Sequence, residues 1–393
     1  MSKEVVIVSA VRTPIGSFLG ALSGMAAPKL GAAAIQAAVA RAKLDPKLVD
    51  QVILGNVLSA GEGQAPARQA AIFGGIPHSA GATTINKVCG SGLQAVNMAR
   101  NAIIAGESEC IVAGGFENMS LTPYLVPEAR TGFRMGNKSF IDSMVNDGLW
   151  DVYHNFHMGN AAELCVKEYK FTREEQDRFA KQSFERAQAA IKSGAFKNEI
   201  AAVSIPQKKG DPLSFETDEG PGKADFTKMP GLRPVFEKDG TITAANASTI
   251  NDGAAALIVT SREFADKNGL KPLARILSTG IHSQAPEWFT TAPVEAMKKA
   301  LRLANLKPGD IDLYEVNEAF AVVALAAAKG LEISETKMNV NGGAIALGHP
   351  LGASGARILT TLIHGLVNQG KKRGVASLCI GGGEGIAMVI ERI

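Results

Sequence analysis

Two stretches of this 393-residue chain follow one plan. Residues 89–115 run from a small-residue turn with Ser91-Gly92 into a helical pattern, then Gly106, an apolar strand and Gly114-Gly115. Residues 352–382 repeat it with Ser354-Gly355, a helical pattern, Gly370, a strand and Gly381-Gly382. The strand-like segments 49–55 and 311–317 hold comparable places, each some tens of residues before its glycine-rich turn. A duplicated α/β half explains this, although the shared grammar of βαβ units gives a similar outline without duplication. If two halves pair pseudo-symmetrically, the turns carrying Cys89, His349 and Cys379 converge on one cleft.

The rest of the chain alternates in the same way. Apolar, β-branched runs predict strands over 4–10, 49–54, 83–89, 110–113, 254–260, 274–278 and 374–380. Helical spacing predicts helices over 28–43, 64–73, 92–104, 293–304, 319–329 and 356–368. Gly114-Gly115 is expected to close its strand. Such alternation argues for an α/β body with a largely buried sheet. From residue 117 to about 246 the texture changes: regularity falls, and Met, Phe, Pro and charge rise. One convincing helix stands there, 173–193, opened by a capping box of Thr172 and Glu175. The region reads as a large insertion over the body, the kind of segment that forms lids and binding elements.

Composition narrows the partners. A net charge of +3 and the lack of a dense Lys/Arg tract with interleaved aromatics argue against nucleic acid. Four cysteines without a CxxC spacing suggest neither a disulfide framework nor a zinc or redox pair. No apolar run has the length of a membrane span. The first residues lead into a strand and show no signal or transit pattern, and the last four are not a peroxisomal signal. A reducing cytoplasm is the expected setting.

The chemistry gathers on the glycine turns. An extended lead-in reaches Cys89, and Gly90-Ser91-Gly92 then opens a helix, so Cys89 is expected on a tight strand-to-helix turn. Helix-end N–H groups there would lower a thiol pKa. A buried structural cysteine is the plain alternative. His349 lies between Gly348 and Pro350, in a loop with little apolar surface to pack on, and a histidine beside a nucleophilic cysteine can take its proton. Cys379 ends an apolar strand before Ile380 and three glycines. Alone it reads as a core cysteine; beside a Cys–His pair it becomes an acid/base, since a thiol near its reference pKa of about 8.5 moves protons near neutral pH. Asn317 is either a helix cap or an amide that positions a water or a histidine. His78, His282 and His364, and Cys110 and Cys165, read as structural.

Val88-Cys89-Gly90-Ser91-Gly92, Asn317-Glu318-Ala319-Phe320-Ala321, the run from Gly343 through Gly348-His349-Pro350 to Gly355, and Cys379-Ile380-Gly381-Gly382-Gly383 resemble the four signature blocks of the thiolases. The likeness spans essentially the whole chain. It implies the thiolase fold, a duplicated five-layer αβαβα body with an inserted loop domain. The corresponding parts are an N-terminal half at 1–116, an insertion at 117–249, a return segment at 250–270 and a C-terminal half at 271–393. It implies that Cys89 carries the acyl group, that His349 activates it and that Cys379 moves the α-proton. Asn317 then holds a water that forms one oxyanion hole with His349, and the backbone N–H groups of Cys89 and Gly381 form the other. The implied reaction joins two acetyl-CoA into acetoacetyl-CoA and CoA, or reverses this, through an acetyl-Cys89 intermediate and without metal or organic cofactor. A homotetramer is the implied assembly.

Within the insertion, His157-Met158-Gly159 resembles the covering loop of short-chain thiolases, and Asn246-Ala247-Ser248 with the following Ile250-Asn251-Asp252-Gly253 resembles their pantetheine loop. Leu149, Met158, Phe236 and Phe320 are expected to wall an apolar tunnel, with Ser248 and His157 toward the pantetheine arm. Many relatives carry an Arg after an Asp-Glu-x-Pro stretch; here Asp218-Glu219-Gly220-Pro221 is followed by Gly222-Lys223, which leaves the adenine end open. A broad-chain 3-ketoacyl-CoA thiolase is the alternative within the family. A ketoacyl synthase is disfavoured because Cys379 has no part in its Cys-His-His or Cys-His-Asn site. A non-catalytic lipid-binding relative should lack one of the four reactive groups.

Overall fold

The computed structural model describes residues 3–393. The first half contains β1 (Val5–Arg12), α1 (Ala27–Ala42), β2 (Gln51–Gly55), α2 (Pro66–Phe73), β3 (Gly81–Ile85), α3 (Ser91–Ala105) and β4 (Cys110–Asn118). The inserted region carries α4 (Met158–Tyr169) and α5 (Arg173–Ser193). The chain then returns as β5 (Asn251–Ser261) and builds the second half from β6 (Ala274–Ser283), α6 (Ala292–Leu303), β7 (Leu313–Val316), α7 (Ala321–Leu331), α8 (Leu351–Asn368), β8 (Arg373–Ile380) and β9 (Glu384–Arg392).

The strands lie in the order β7-β8-β9-β6-β1-β5-β4-β2-β3. Within the sheet the halves are joined at β1 and β6, through the pairs Val6–Arg275 and Ile7–Ala274. On each side the pattern is the same. In the first half β2 runs parallel to β4, which is antiparallel to β5, which is antiparallel to β1. In the second, β7 runs parallel to β8, β8 antiparallel to β9, and β9 antiparallel to β6. Even the outer strand β3 has a vestige opposite it: Met338 makes a single parallel bridge to Tyr314 of β7. The repeat seen in the glycines is therefore a repeat of topology.

Alternation along the strands sorts the core into layers. Val6, Val8, Ala256 and Ile258 face α1 and α2 in one cluster. Val5, Ile7, Leu257 and Val259 face α3 and α8, which lie between the two halves and also cover Leu378, Ile386 and Met388. Val375, Ala387 and Val389 face α6 and α7. Helices, sheet, helices, sheet, helices make the five layers.

Several elements depart from the sequence expectation, each for a local reason. β3 ends at Ile85, not at residue 89, because side chains of Asn86 and Ser91 capture the N–H groups of Val88 and Lys87. β4 runs through Gly114-Gly115 to Asn118, so the boundary expected at 116/117 falls inside a strand. The two glycines do not end the strand; they admit neighbours, since a Cβ at Gly115 would sit 1.9 Å from the carbonyl oxygen of Gly352. Helix α8 begins at Leu351, five residues early, so Gly352 to Gly355 are its first turn and not a loop. Asn251-Asp252-Gly253 are part of β5. The insertion holds a second long helix, α4, and β9 was legible as the apolar run Ile386 to Ile390 but was not assigned. The Thr172–Glu175 capping box forms as read.

The insertion is tied to the body by a buried charge cluster. The guanidinium of Arg12 grips both oxygens of Asp218 at 2.7 and 2.9 Å and Glu199 Oε1 at 2.6 Å. Thr361 of α8 donates to the same Glu199 oxygen at 3.1 Å. Arg12 has no exposed surface. Arg12→Met would strand two buried carboxylates, and breaking such a cluster costs about 3–5 kcal/mol. The variant should show a markedly lower denaturant midpoint by circular dichroism; a midpoint within error of wild type would refute the role.

Candidate active site

The Cys89 turn is built under strain. Val88 has φ +46°, in the left-handed region that a β-branched residue disfavours. Such a conformation costs about 1–3 kcal/mol and persists only where neighbours over-determine it. Here they do: Asn86 Oδ1 accepts from the Val88 N–H at 2.9 Å, and Ser91 Oγ accepts from Lys87 N–H at 2.8 Å while donating to Val88 O at 2.7 Å. The turn delivers Cys89 two residues before α3. Gly90 packs on the second half, where a Cβ would lie 2.4 Å from Ile380 Cδ1. The Cys89 turn thus touches the turn that follows Cys379.

His349 arrives from the other half. Gly348 takes φ +110° and leaves room for the side chain of Asn251 on β5, whose Oδ1 accepts the His349 N–H at 3.0 Å. The imidazole Nδ1 lies 2.6 Å from Ser354 Oγ, and Ser354 donates to Pro350 O at 2.8 Å. That network assigns the proton to Nδ1 and makes Nε2 the acceptor. Nε2 lies 3.4 Å from Asn317 Nδ2. Asn317 is fully buried, anchored through its N–H to Ser377 O at 2.9 Å, and its Oδ1 has no protein partner.

Electrostatics corrects the sequence reading of both sulfurs. Helix-end donors were expected to lower the Cys89 pKa; instead enclosure pushes it up to about 12. The N–H groups of Gly381 and Cys89 point at the sulfur and pull the other way, and the charge of Glu117 adds to the rise. Cys379 was expected near its ordinary value. Burial, with Cys89 as a charged neighbour, holds it well above. Burial and the nearby Arg357 depress His349 to about 3. At rest the site is thiol and neutral imidazole, not a thiolate–imidazolium pair.

A cavity of about 280 Å³ opens on this group. Cys89, His349 and Gly381 line it together with Leu149, His157, Met158, Phe236, Ser248 and Phe320. Asn317 and Cys379 do not line it; both lie fully buried behind its wall, Cys379 in an apolar cluster with Met158, Phe289 and Phe320. Aromatic rings close the inner end: His157 stacks on Phe236 at 4.8 Å, and Phe236 and Phe289 each meet Phe320 edge-on. His157 Nδ1 accepts the Gly159 N–H at 3.0 Å, which places its proton on Nε2. A second hollow of about 500 Å³ shares Ser248, Thr249 and Ile250 with the first and adds Phe18, Phe184 and Lys223. Cys165, read as structural, is buried in the Cys379 cluster. Sequence reasoning missed Ser354 as the partner of His349 Nδ1, hidden by the late helix start, Asn251 as the acceptor of the His349 N–H, and Phe289 and Glu117, which carry no local pattern.

A duplicated five-layer body with a Cys–His–Cys–Asn group at its centre defines a class, and the chain belongs to it: it is a member of the thiolase family. Models of the thiolase N-terminal domain and the thiolase C-terminal domain match residues 5–263 and 270–392. The chain is 54% identical to an acetyl-CoA acetyltransferase of Cupriavidus necator over 390 residues, 99% of each protein. It is 53% identical to acetyl-CoA acetyltransferase 2 of Arabidopsis thaliana, covering 99% of this chain and 97% of that protein. The crystal structure of the Bacillus anthracis acetyl-CoA acetyltransferase superposes with a TM-score of 0.97 at 41% identity, covering 100% of this chain and 99% of the other.

Proposed function

We propose that the chain is an acetyl-CoA C-acetyltransferase that condenses two acetyl-CoA to acetoacetyl-CoA and CoA, and runs the reverse thiolysis. The observation that carries this is the small, aromatic-lined cavity of about 280 Å³ on Cys89 and His349, which shares Ser248, Thr249 and Ile250 with the second hollow of about 500 Å³. The names of the relatives point the same way.

In this reading His349 Nε2 takes the Cys89 proton as sulfur attacks the thioester carbonyl and keeps it, and the departing CoA thiolate takes the proton of Cys379, which leaves Cys379 as the thiolate. The N–H groups of Cys89 and Gly381, already aimed at the sulfur, stabilise the oxyanion that forms on the acyl carbon. CoA leaves and a second acetyl-CoA enters. Cys379, as thiolate, takes its α-proton; a water held by Asn317, together with His349, stabilises the enolate. The enolate carbon attacks acetyl-Cys89, and the expelled Cys89 thiolate recovers its proton from the His349 imidazolium, while Cys379 keeps the α-proton, so every group returns to its starting state. Two sulfurs and an imidazole cover every proton transfer, so no metal or organic cofactor enters the scheme. Ser248 and the His157 Nε2–H face the pantetheine arm, Leu149, Met158, Phe236 and Phe320 wall the acyl group, and the second hollow takes the nucleotide end, with Lys223 toward its phosphates.

A cytoplasmic homotetramer belongs to the same reading. Its supports are the four free cysteines and the exposed apolar side chains of Tyr124, Phe133, Met135 and Phe140, which a single chain leaves in water. Among the described residues no helix is long and apolar enough to cross a membrane. Thiolysis over a chain-length series tests the substrate class. Acetoacetyl-CoA should turn over far faster than 3-ketohexadecanoyl-CoA; equal or better rates on the long chain would replace this reading with a broad-chain thiolase.

A further inference from the structure

Glu117 lies near the end of β4 with no exposed surface and does not line the cavity. Its Oε1 accepts from Asn56 Nδ2 and from Leu58 N–H, both at 3.0 Å. Its Oε2 accepts from Val57 N–H at 3.0 Å and from Gly352 N–H at 2.8 Å. Burial pushes this carboxyl up to about 8, and the N–H groups of Leu58, Gly352 and Val57 pull the other way. With N–H donors on all four lone-pair sites and no acceptor left for an O–H, the geometry is that of the carboxylate. Charge-assisted bonds of this kind are roughly twice as strong as neutral ones.

The donors come from both halves. Val57 and Leu58 follow β2 and form, with Leu351, the apolar cluster against which Cys89 and Leu149 pack. Gly352 belongs to the second half, three residues after His349 and in the first turn of α8. The approach is close: a Cβ at Gly352 would fall 2.6 Å from Phe116 O and 2.9 Å from Glu117 Oε2. One carboxylate therefore joins the loop beneath Cys89 to the corner that carries His349.

We propose that Glu117 is a positioning residue, whose carboxylate clamps the His349–Pro350–Leu351 corner to the Cys89 side and so sets the reach of the imidazole to the thiol. This rests on Cys89 and His349 being the reacting pair. The clamp explains why a buried acid is kept beside a thiol whose ionisation its charge opposes. A misplacement of about 1 Å between reacting groups can cost about 10²-fold in rate. Glutamine is isosteric, but its amide nitrogen would face two N–H donors.

The test compares wild type, Glu117→Gln and Asn56→Ala, with acetyl-Cys89 followed by rapid-quench mass spectrometry and steady-state thiolysis of acetoacetyl-CoA. Wild type must first acetylate on Cys89; if it does not, the reading of the site fails, whatever the variants do. Folded Glu117→Gln should acetylate at least about 30-fold more slowly, with kcat falling alike and KM within about 3-fold, because the pantetheine contacts lie on other segments. Asn56→Ala, which removes one donor of four, should lose about 5-fold in kcat with the same split. Acetylation of Glu117→Gln within about 2-fold of wild type, or a rise in KM that matches the fall in kcat, overturns the proposal. If Glu117→Gln does not fold, Asn56→Ala decides, and an unchanged kcat there overturns it.

Discussion

Cys89→Ala is expected to show no acetyl mass increment with acetyl-CoA and to lose at least about 10⁴-fold in kcat. The substitution removes the one sulfur among the described residues that both lines the cavity and receives the N–H groups of Gly381 and of its own residue. Cys379 cannot replace it, because it is fully buried behind the cavity wall. The fold should be retained, since Cys89 sits at the edge of an apolar cluster and alanine leaves the strained turn, held by Asn86 and Ser91, intact. Labelling that persists at another residue, with activity, would count against the assignment.

The resting charge state gives this result its mechanistic weight. A thiol raised to about 12 beside an imidazole lowered to about 3 does not form an ion pair in the free enzyme. The proton moves only as carbon–sulfur bond formation neutralises the sulfur. Ser354 matters here although it touches no substrate. By accepting the Nδ1 proton it directs the Nε2 lone pair toward Asn317 and the cavity. The general-base role is thus fixed by a hydrogen-bond chain one turn into α8.

The glycine pattern made the duplicated architecture legible, because some of its glycines mark places where the halves approach and others, Gly106 and Gly370, turn the chain at positive φ. Gly90 faces Ile380, and Gly115 faces Gly352. The reactive residues were legible because they stand in short runs with fixed spacing. The electrostatics were not. A helix-end dipole is a local property that a sequence can suggest, but burial is decided by segments hundreds of positions away, and at Cys89 burial wins. Glu117 escaped for the same reason, since it joins segments distant in the chain and nothing beside it marks it; Asn251 stood out only as part of a pantetheine-loop run, not as the residue that holds the His349 N–H. The chain also kept β4 running where two glycines suggested a stop, since the approach of Gly352 requires an extended strand without side chains.

Cys379→Ser should separate the two half-reactions. The variant keeps Cys89, His349 and the Gly381 N–H, so it should still form acetyl-Cys89 at a rate close to wild type. Carbon–carbon bond formation needs more: a base close to an α-carbon that is only weakly acidic even in a thioester. Cys379 is suited to this because its thiolate, disfavoured by burial and by the neighbouring Cys89, is a strong base once formed. Serine fits the same space, but an alcohol is a far weaker acid than a thiol and does not supply the anion. General acid–base catalysis is worth about 10²–10⁴-fold, so α-proton exchange of acetyl-CoA in deuterated water, read by NMR, should fall by that factor. Both arms are needed. Loss of acetylation together with exchange would show that the serine disturbs Cys89 through the contact between Gly90 and Ile380. Rapid exchange with normal acetylation would place the base elsewhere, and His349, whose lone pair already faces the cavity, would be the group to test in its stead.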